Sequence, residues 1–95
     1  MQTKNSFEAN NAKREGYLQE ARDNLSEASV NLLLAEEYKT LAISAMNDYM
    51  QQKRPGEEIM HKVQPLIDKY QGKVEGVLMN IDKATNAVES LKNMK

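Results

Sequence analysis

Two apolar repeats of similar length, separated by one Pro-Gly pair, dominate this sequence of 95 residues. Apolar residues that recur at alternating intervals of three and four positions lie along one side of an α-helix and pack against another helix. The first repeat, which Lys39 interrupts once, consists of Leu18, Ala21, Leu25, Ala28, Leu32, Ala35, Ala42, Met46 and Tyr49. The second repeat is unbroken and consists of Met60, Val63, Ile67, Tyr70, Val74, Val77, Ile81, Ala84, Val88 and Leu91. We therefore predict an all-α protein with two long helices.

The Pro55-Gly56 pair between the repeats is a strong signal for a helix end and a turn. Leu18 at the start of the first repeat and Leu91 at the end of the second are almost equally distant from this pair. Equal arms around a single turn are what an antiparallel hairpin requires. The sequence therefore predicts a coiled-coil-like hairpin of two helices in which Leu18 is level with Leu91.

The predicted organisation divides the chain into a polar N-terminal extension and one hairpin. The extension, residues 1–17, is rich in asparagine and is predicted to be either frayed or helical. Pro65 falls inside the second repeat, so the first turn of helix two could be kinked from the rest. The hairpin at 18–95 is divided into helix one to about residue 53, a turn at 54–57 and helix two at 58–94.

Helix one carries more apolar surface than a single neighbouring helix can cover. A second apolar row lies roughly 110° around the helix from the first repeat, and this much exposed apolar surface favours association. Two glycines of helix two add a weaker signal, because small residues four apart let a neighbouring helix approach closely. The candidate partner-binding residues are Val30, Leu33, Leu34, Tyr38, Leu41, Ala45, Gly72 and Gly76.

These residues predict a protein partner, bound through helix one as a homodimer or a heterodimer, so that association completes a four-helix bundle. Two alternatives remain open. The N-terminal extension of the same chain could cover the second apolar row. The two glycines could instead mark a solvated, flexible part of helix two.

The sequence contains no constellation of side chains that indicates catalysis, cofactor binding or metal binding. It has one histidine, His61, and no cysteine, so neither a two-histidine site nor a thiolate site can form within one chain. Phosphate-binding loops, dinucleotide-binding turns and nucleophile elbows are also absent. We therefore predict a non-enzymatic protein with no catalytic, cofactor-binding or metal-binding residues.

Charge and hydropathy restrict the class of partner and the location. The 13 Lys+Arg residues nearly balance the 14 Asp+Glu residues, whereas nucleic-acid-binding proteins usually carry a basic surplus or a basic stripe. No apolar run is long enough to predict a transmembrane helix, and the polar N-terminus does not predict a classical signal peptide. The expected location is the cytoplasm, or outside the cell after export without such a signal.

The length, the two helices and the Gly at the mid-chain turn resemble the WXG100 (ESAT-6-like) superfamily and the LXG-associated helical partners of bacterial type VII secretion. Arg54-Pro55-Gly56 stands where that family has Trp-x-Gly, so Gly56 matches and Arg54 replaces the tryptophan. The family's Tyr-x-x-x-Asp/Glu export signal is not matched at Tyr70, because the residue four positions later is Val74. The resemblance implies a non-enzymatic protein that forms homodimers or heterodimers and acts as a secreted factor, adaptor or targeting partner.

Three functions follow from these features. The first is a protein–protein interaction module, an adaptor, chaperone or escort that pairs with itself or with a helical partner in a bacterial secretion setting. The alternative is a small phage or mobile-element inhibitor that binds a host or defence protein. The third is a nucleic-acid accessory factor, which the near-zero net charge disfavours.

Overall fold

The computed structural model describes residues 4–52 and 56–94, and these residues form two α-helices packed side by side in opposite directions. Helix α1 runs over Lys4–Gln52 and helix α2 over Gly56–Lys92. The hairpin is 77 Å long and only 15 by 14 Å in cross-section. The prediction of an all-α antiparallel hairpin is confirmed, whereas its completion to a four-helix bundle stays a prediction.

The helix bounds refine the predicted segments. Within the N-terminal extension, the described residues from Lys4 onward belong to α1, so this part of the chain continues helix one. The second helix begins at Gly56, inside the predicted turn at 54–57, while positions 54 and 55 of that turn lie outside the described residues. Helix α2 also continues through Pro65 without ending.

Local signals at both ends of α2 explain where this helix lies. Glu57 and Glu58 occupy its first turn and Lys92 its last turn. These charges are favourable because the helix dipole places partial positive charge at the N-terminus and partial negative charge at the C-terminus. Beyond the last turn, the backbone N–H of Asn93 donates to the carbonyl of Glu89 at 3.0 Å, which satisfies one of the carbonyl groups that a helix end leaves open.

Each helix uses two adjacent heptad rows to contact the other, and we call these rows the seam. In α1 one row is made of alanines at every seventh position, and the most deeply buried is Ala35, at 1% exposure. The seam residues of α1 are Tyr17, Ala21, Asn24, Ala28, Asn31, Ala35, Tyr38, Ala42, Ala45 and Tyr49. Those of α2 are Ile59, Val63, Leu66, Tyr70, Lys73, Val77, Asn80, Ala84, Ala87 and Leu91.

This seam contains only half of each predicted apolar repeat. One row of each repeat lies in the seam, for example the row of Ala21 in α1 and the row of Val63 in α2. The other row is turned away from the neighbouring helix. In α1 a row of tyrosine, asparagine and alanine takes its place, and in α2 the row that begins at Ile59 and includes Asn80 does so. The residues left exposed in this way are Leu18, Leu25, Leu32, Met60, Ile67, Ile81 and Val88. Each helix is therefore rotated about its own axis relative to the orientation that the apolar periodicity predicts.

The register along the hairpin agrees with the expectation that Leu18 is level with Leu91. Near the N-terminal end of the seam, Ala21 of α1 forms a buried cluster with Ala84 and Ala87 of α2. Farther toward the turn, the Nζ of Lys69 lies 5.6 Å from the ring centre of Tyr38. Matched arms around the mid-chain turn thus predict which parts of the two helices meet.

Candidate partner-binding surface

The rows that are turned away from the seam lie on one side of the hairpin. Each residue in them directly follows a seam residue, so it is rotated by about 100° from that residue. Because the two helices run in opposite directions, this same step turns both rows toward the same side. We call the resulting surface the apolar face, and its members are Leu18, Leu25, Leu32, Met46, Met60, Ile67, Val74, Ile81 and Val88.

At the level of Leu25, the apolar face contains a groove between the two helices. Leu25 of α1 stands on one side of this groove, and Ile81 and Val88 of α2 stand on the other. Ala21 and Ala84 line the groove between these larger side chains. Large residues on its two sides and alanines between them form a shape that can take the side chains of another helix.

Much of this apolar surface is open to water in the hairpin alone. Leu25 is 53% exposed and Val88 is equally so, while Met60 is 63% exposed. Three further exposed apolar residues lie on the rows that border the apolar face: Ile43, Met50 and Leu78. Apolar side chains exposed along one side of a hairpin in this way are typical of an interaction surface.

The opposite side of the hairpin carries charges of both signs, and we call it the charged face. In α1 it includes acidic residues that directly precede the row of Ala21, and in α2 it includes basic residues that directly precede the row of Val63. The charged residues of this face are Glu20, Glu27, Asp48, Lys62, Lys69 and Lys83, and all are exposed. Charges are thus concentrated on this side of the hairpin, although Leu34 and Leu41 lie in the same row of α1 as the acidic residues.

Lys39 is the one charged residue in the row that α1 contributes to the apolar face. Its Nζ forms an ion pair with the Oε2 of Glu36 at 2.9 Å and donates a hydrogen bond to the Oε1 of the same residue at 3.2 Å. This hydrogen bond and the negative charge of Glu36 raise the pKa of Lys39 above its ordinary value. Because the pair lies within a single helix, a partner that covers the apolar face does not have to supply a charge at this point.

A cluster of amide side chains lies in the seam between the two helices. Asn80, at 5% exposure, is the one buried polar residue among those the structure describes. Its amide nitrogen donates to Asn24 Oδ1 at 3.1 Å and to Glu27 Oε2 at 3.2 Å. Its carbonyl oxygen accepts a hydrogen bond from Asn31 Nδ2 at 2.9 Å. A buried polar group with partners at fixed positions favours one register over its neighbours.

Replacing Asn80 by alanine is expected to lower the free energy of unfolding by about 1–2 kcal/mol, because three hydrogen bonds are lost and Asn31 keeps a half-buried amide. The measurement is urea unfolding followed by circular dichroism. Asn86→Ala is the matched control, since it makes the same change at an exposed position of the same helix. Equal stability of the two variants would contradict a structural role for the amide cluster.

The structure places the predicted partner-binding residues at different sites. Tyr38, Ala45 and Gly76 lie at the contact with the other helix and are half-buried. Leu34 and Leu41 lie on the side of the charged face, Leu34 half-buried and Leu41 exposed. Val30 and Leu33 are exposed on the side of α1 that points away from α2, and Gly72 is exposed on α2. These residues therefore lie at different positions around the hairpin, although Leu33 and Leu41 line one shallow concavity of α1. Their role in partner binding stays a prediction.

The two glycines of α2 have different surroundings. A Cβ atom added at Gly76 would lie 3.2 Å from Asn31 Nδ2, so this glycine lets the two helices approach closely. A Cβ atom added at Gly72 would meet no atom within 4 Å. The prediction of close approach therefore describes the surroundings of Gly76, and open space surrounds Gly72.

Gly72→Ala is expected to raise the free energy of unfolding by about 0.5–1 kcal/mol, because alanine favours the helix and nothing opposes the added methyl group. Gly76→Ala gains the same helix propensity but displaces Asn31, which donates to Asn80. We expect Gly76→Ala to be less stable than Gly72→Ala by at least about 0.5 kcal/mol. Thermal unfolding of both variants measures this difference, and identical gains would show that the Asn31 contact is unimportant.

The sequence does not indicate that the residues of the apolar face are exposed, because apolar periodicity places them at the contact between the two helices. A signal for the actual seam is present in the sequence, since Asn24 and Asn31 are seven residues apart and each directly precedes a leucine of the repeat. Asparagine, however, is normally an exposed residue, so this row was not recognised as buried. Only the structure shows that it takes the place of the leucines.

Two kinds of site are absent from the part of the chain that the structure describes. Within residues 4–52 and 56–94, no group of three or more potential metal ligands is close enough to hold an ion. Neither helix, over its described residues, contains a stretch long and apolar enough to cross a membrane.

No known protein family, characterised protein or solved structure matches this chain. The resemblance to the WXG100 superfamily therefore remains one of hairpin architecture.

Proposed function

We propose that this protein is a non-enzymatic interaction module that pairs through its apolar face with another helical protein or with a second copy of itself. The observation that carries this proposal is the exposed groove between Leu25 and the pair Ile81 and Val88. Both helices contribute to this groove, so a partner hairpin that covers it completes a four-helix bundle. In such a bundle the two predicted apolar repeats form the inner surface of each helix.

The dimensions of the apolar face support stable pairing. The apolar face extends from Leu18 to Met46 in α1 and from Met60 to Val88 in α2, so it is roughly 42 Å long at about 1.5 Å per residue. With the 15 Å width of the hairpin, one side of the interface covers roughly 630 Å², and two such sides exceed the ~1,000 Å² in total expected of a specific interface. Burial of a surface of this size gives a specific complex when the partner has a complementary shape.

The role of the pairing is proposed from the likeness in architecture. A small helical hairpin that pairs with another protein suits an adaptor, chaperone or escort, and the resemblance to the WXG100 superfamily suggests a bacterial secretion setting. This part of the proposal depends on the pairing itself, because an escort acts by covering the surface of another protein. The test is therefore directed at the apolar face in living cells.

A photo-crosslinking amino acid placed at Leu25 or Ile81 is expected to form a covalent adduct in the native host. The mass of the adduct distinguishes a second copy of the chain from another protein. Lys83 on the charged face is the matched control position, since it is exposed on the same helix as Ile81. Adducts from the two apolar positions but not from Lys83 support the proposal. Absence of adducts from all positions, or equal adducts from Lys83, would contradict it.

A further inference from the structure

Helix α1 extends beyond the end of its neighbour. It has 49 residues, whereas α2 has 37, so about three turns of α1 continue past Lys92 without a neighbouring helix in the described chain. We call this segment, residues 4–14, the overhang. A short polar helix is only marginally stable in water by itself, so a contact that covers the overhang would stabilise it.

Phe7 is the one large apolar side chain of the overhang, and it is 60% exposed. It lies two heptads before Ala21, so it belongs to the row of buried alanines that includes Ala28 and Ala35. The alanine row is directed partly toward α2 and partly toward the side of the apolar face. In the bundle that pairing would form, this direction leads to the centre of the bundle. Phe7 is therefore in line with the inner surface of such a bundle, at a level where helix α2 has already ended.

A second copy of this chain fits the apolar face in two symmetric orientations. In the opposite-end orientation, the turns of the two copies lie at opposite ends of the bundle. Each α1 then lies against the partner's α1, and the two overhangs extend from opposite ends. In the same-end orientation, the turns of both copies lie at one end of the bundle. Each α1 then lies against the partner's α2, and the two overhangs run side by side. The apolar rows of α1 and α2 have matching lengths, so a second copy covers both rows completely in either orientation. The two orientations differ at the overhangs, where only the same-end orientation brings the two exposed Phe7 side chains together.

We propose that the protein forms a homodimer with both turns at one end, in which the two overhangs meet through Phe7. This inference rests on the proposed pairing through the apolar face and adds the identity and orientation of the partner. In the same-end orientation, the Phe7 rings of the two copies point toward the shared axis and cover the end of the apolar interior. In the opposite-end orientation each Phe7 projects past the partner and stays in water.

A distance between spin labels on Ala12→Cys tests the orientation directly. The chain has no native cysteine, and Ala12 is exposed on the overhang. With helix axes about 8–10 Å apart, the same-end orientation places the two labels about 30 Å from each other. In the opposite-end orientation the labels are about 70 Å apart, because each lies about 35 Å from the middle of the paired region.

A dimer with a distance near 30 Å supports the proposal. A dimer with a distance near 70 Å overturns the orientation and leaves pairing through the apolar face intact. A monomer without dipolar coupling overturns the homodimer, while adducts to another protein in the crosslinking experiment would still support the proposed function. The two failures are therefore distinguishable.

Phe7→Ala provides a second test that does not depend on labels. We expect dimer affinity to fall by about tenfold or more, because each copy loses the burial of an aromatic side chain. Leu33→Ala is the matched control, since Leu33 is exposed on the side of α1 that points away from α2. Unchanged affinity of Phe7→Ala, in a protein that remains helical by circular dichroism, would overturn the contact between the overhangs.

Discussion

Leu25→Glu combined with Ile81→Glu is expected to convert the paired protein into a monomer. The two side chains face each other across the groove of the apolar face, so pairing would bury both new charges without a partner. An uncompensated buried charge costs several kcal/mol, and we therefore expect affinity to fall by about a thousandfold or more. Size-exclusion chromatography with light scattering measures the loss of pairing, and circular dichroism shows whether the hairpin is retained.

Leu33→Glu combined with Leu41→Glu is the matched control for this variant. It introduces the same two charges at leucines that are at least as exposed as Leu25. These leucines belong to the partner-binding surface predicted from the sequence, on sides of α1 away from the apolar face. We expect the control to remain paired. Dissociation of the control, with continued pairing of the Leu25 and Ile81 variant, would place the partner on the surface of helix one instead.

Ala35→Leu is expected to lower the free energy of unfolding by about 1–3 kcal/mol. Ala35 lies in the middle of the seam at 1% exposure, so the three additional carbon atoms have no space unless the two helices separate. Leucine has nearly the same helix propensity as alanine, so the change reports packing and not helix formation. Urea unfolding at one fixed protein concentration measures the effect.

Ala12→Leu is the control for overpacking, because it makes the same substitution at an exposed position of the same helix. We expect its free energy of unfolding to stay within about 0.5 kcal/mol of the unsubstituted protein. Equal stability of the Ala35 and Ala12 variants would mean that the alanine row is not packed against α2. The hairpin would then have a different seam from the one described.

The helices and their register could be predicted from the sequence because both depend on short-range patterns. Heptad spacing requires helices with one apolar side, and the position of Pro55 between equal arms determines which residues are level. The same reasoning gave a correct end-to-end alignment of Leu18 with Leu91. None of these conclusions depends on how far each helix is rotated about its own axis.

The rotation of each helix about its axis could not be predicted. In α1, for example, the row of Ala21 is flanked by the apolar row of Leu18 on one side and by the row of Asn24 on the other. Apolar periodicity favours the leucine row, which begins at Leu18, as the second row of the seam. In the structure the row of Asn24 is used instead, since small and hydrogen-bonding residues let the two helices come close while Asn80 finds its partners. The leucine row is thereby left exposed, which the pattern of a single chain does not reveal.

Sedimentation equilibrium of the 95-residue chain over micromolar concentrations tests most directly the central claim that the chain pairs with a second copy of itself through the apolar face. A single chain has a mass of 10.8 kDa. The homodimer predicts twice that mass, with a return to the single-chain mass in the Leu25→Glu/Ile81→Glu variant. A fully helical species of 10.8 kDa at all concentrations, with the same stability as that variant, would contradict self-pairing through the apolar face.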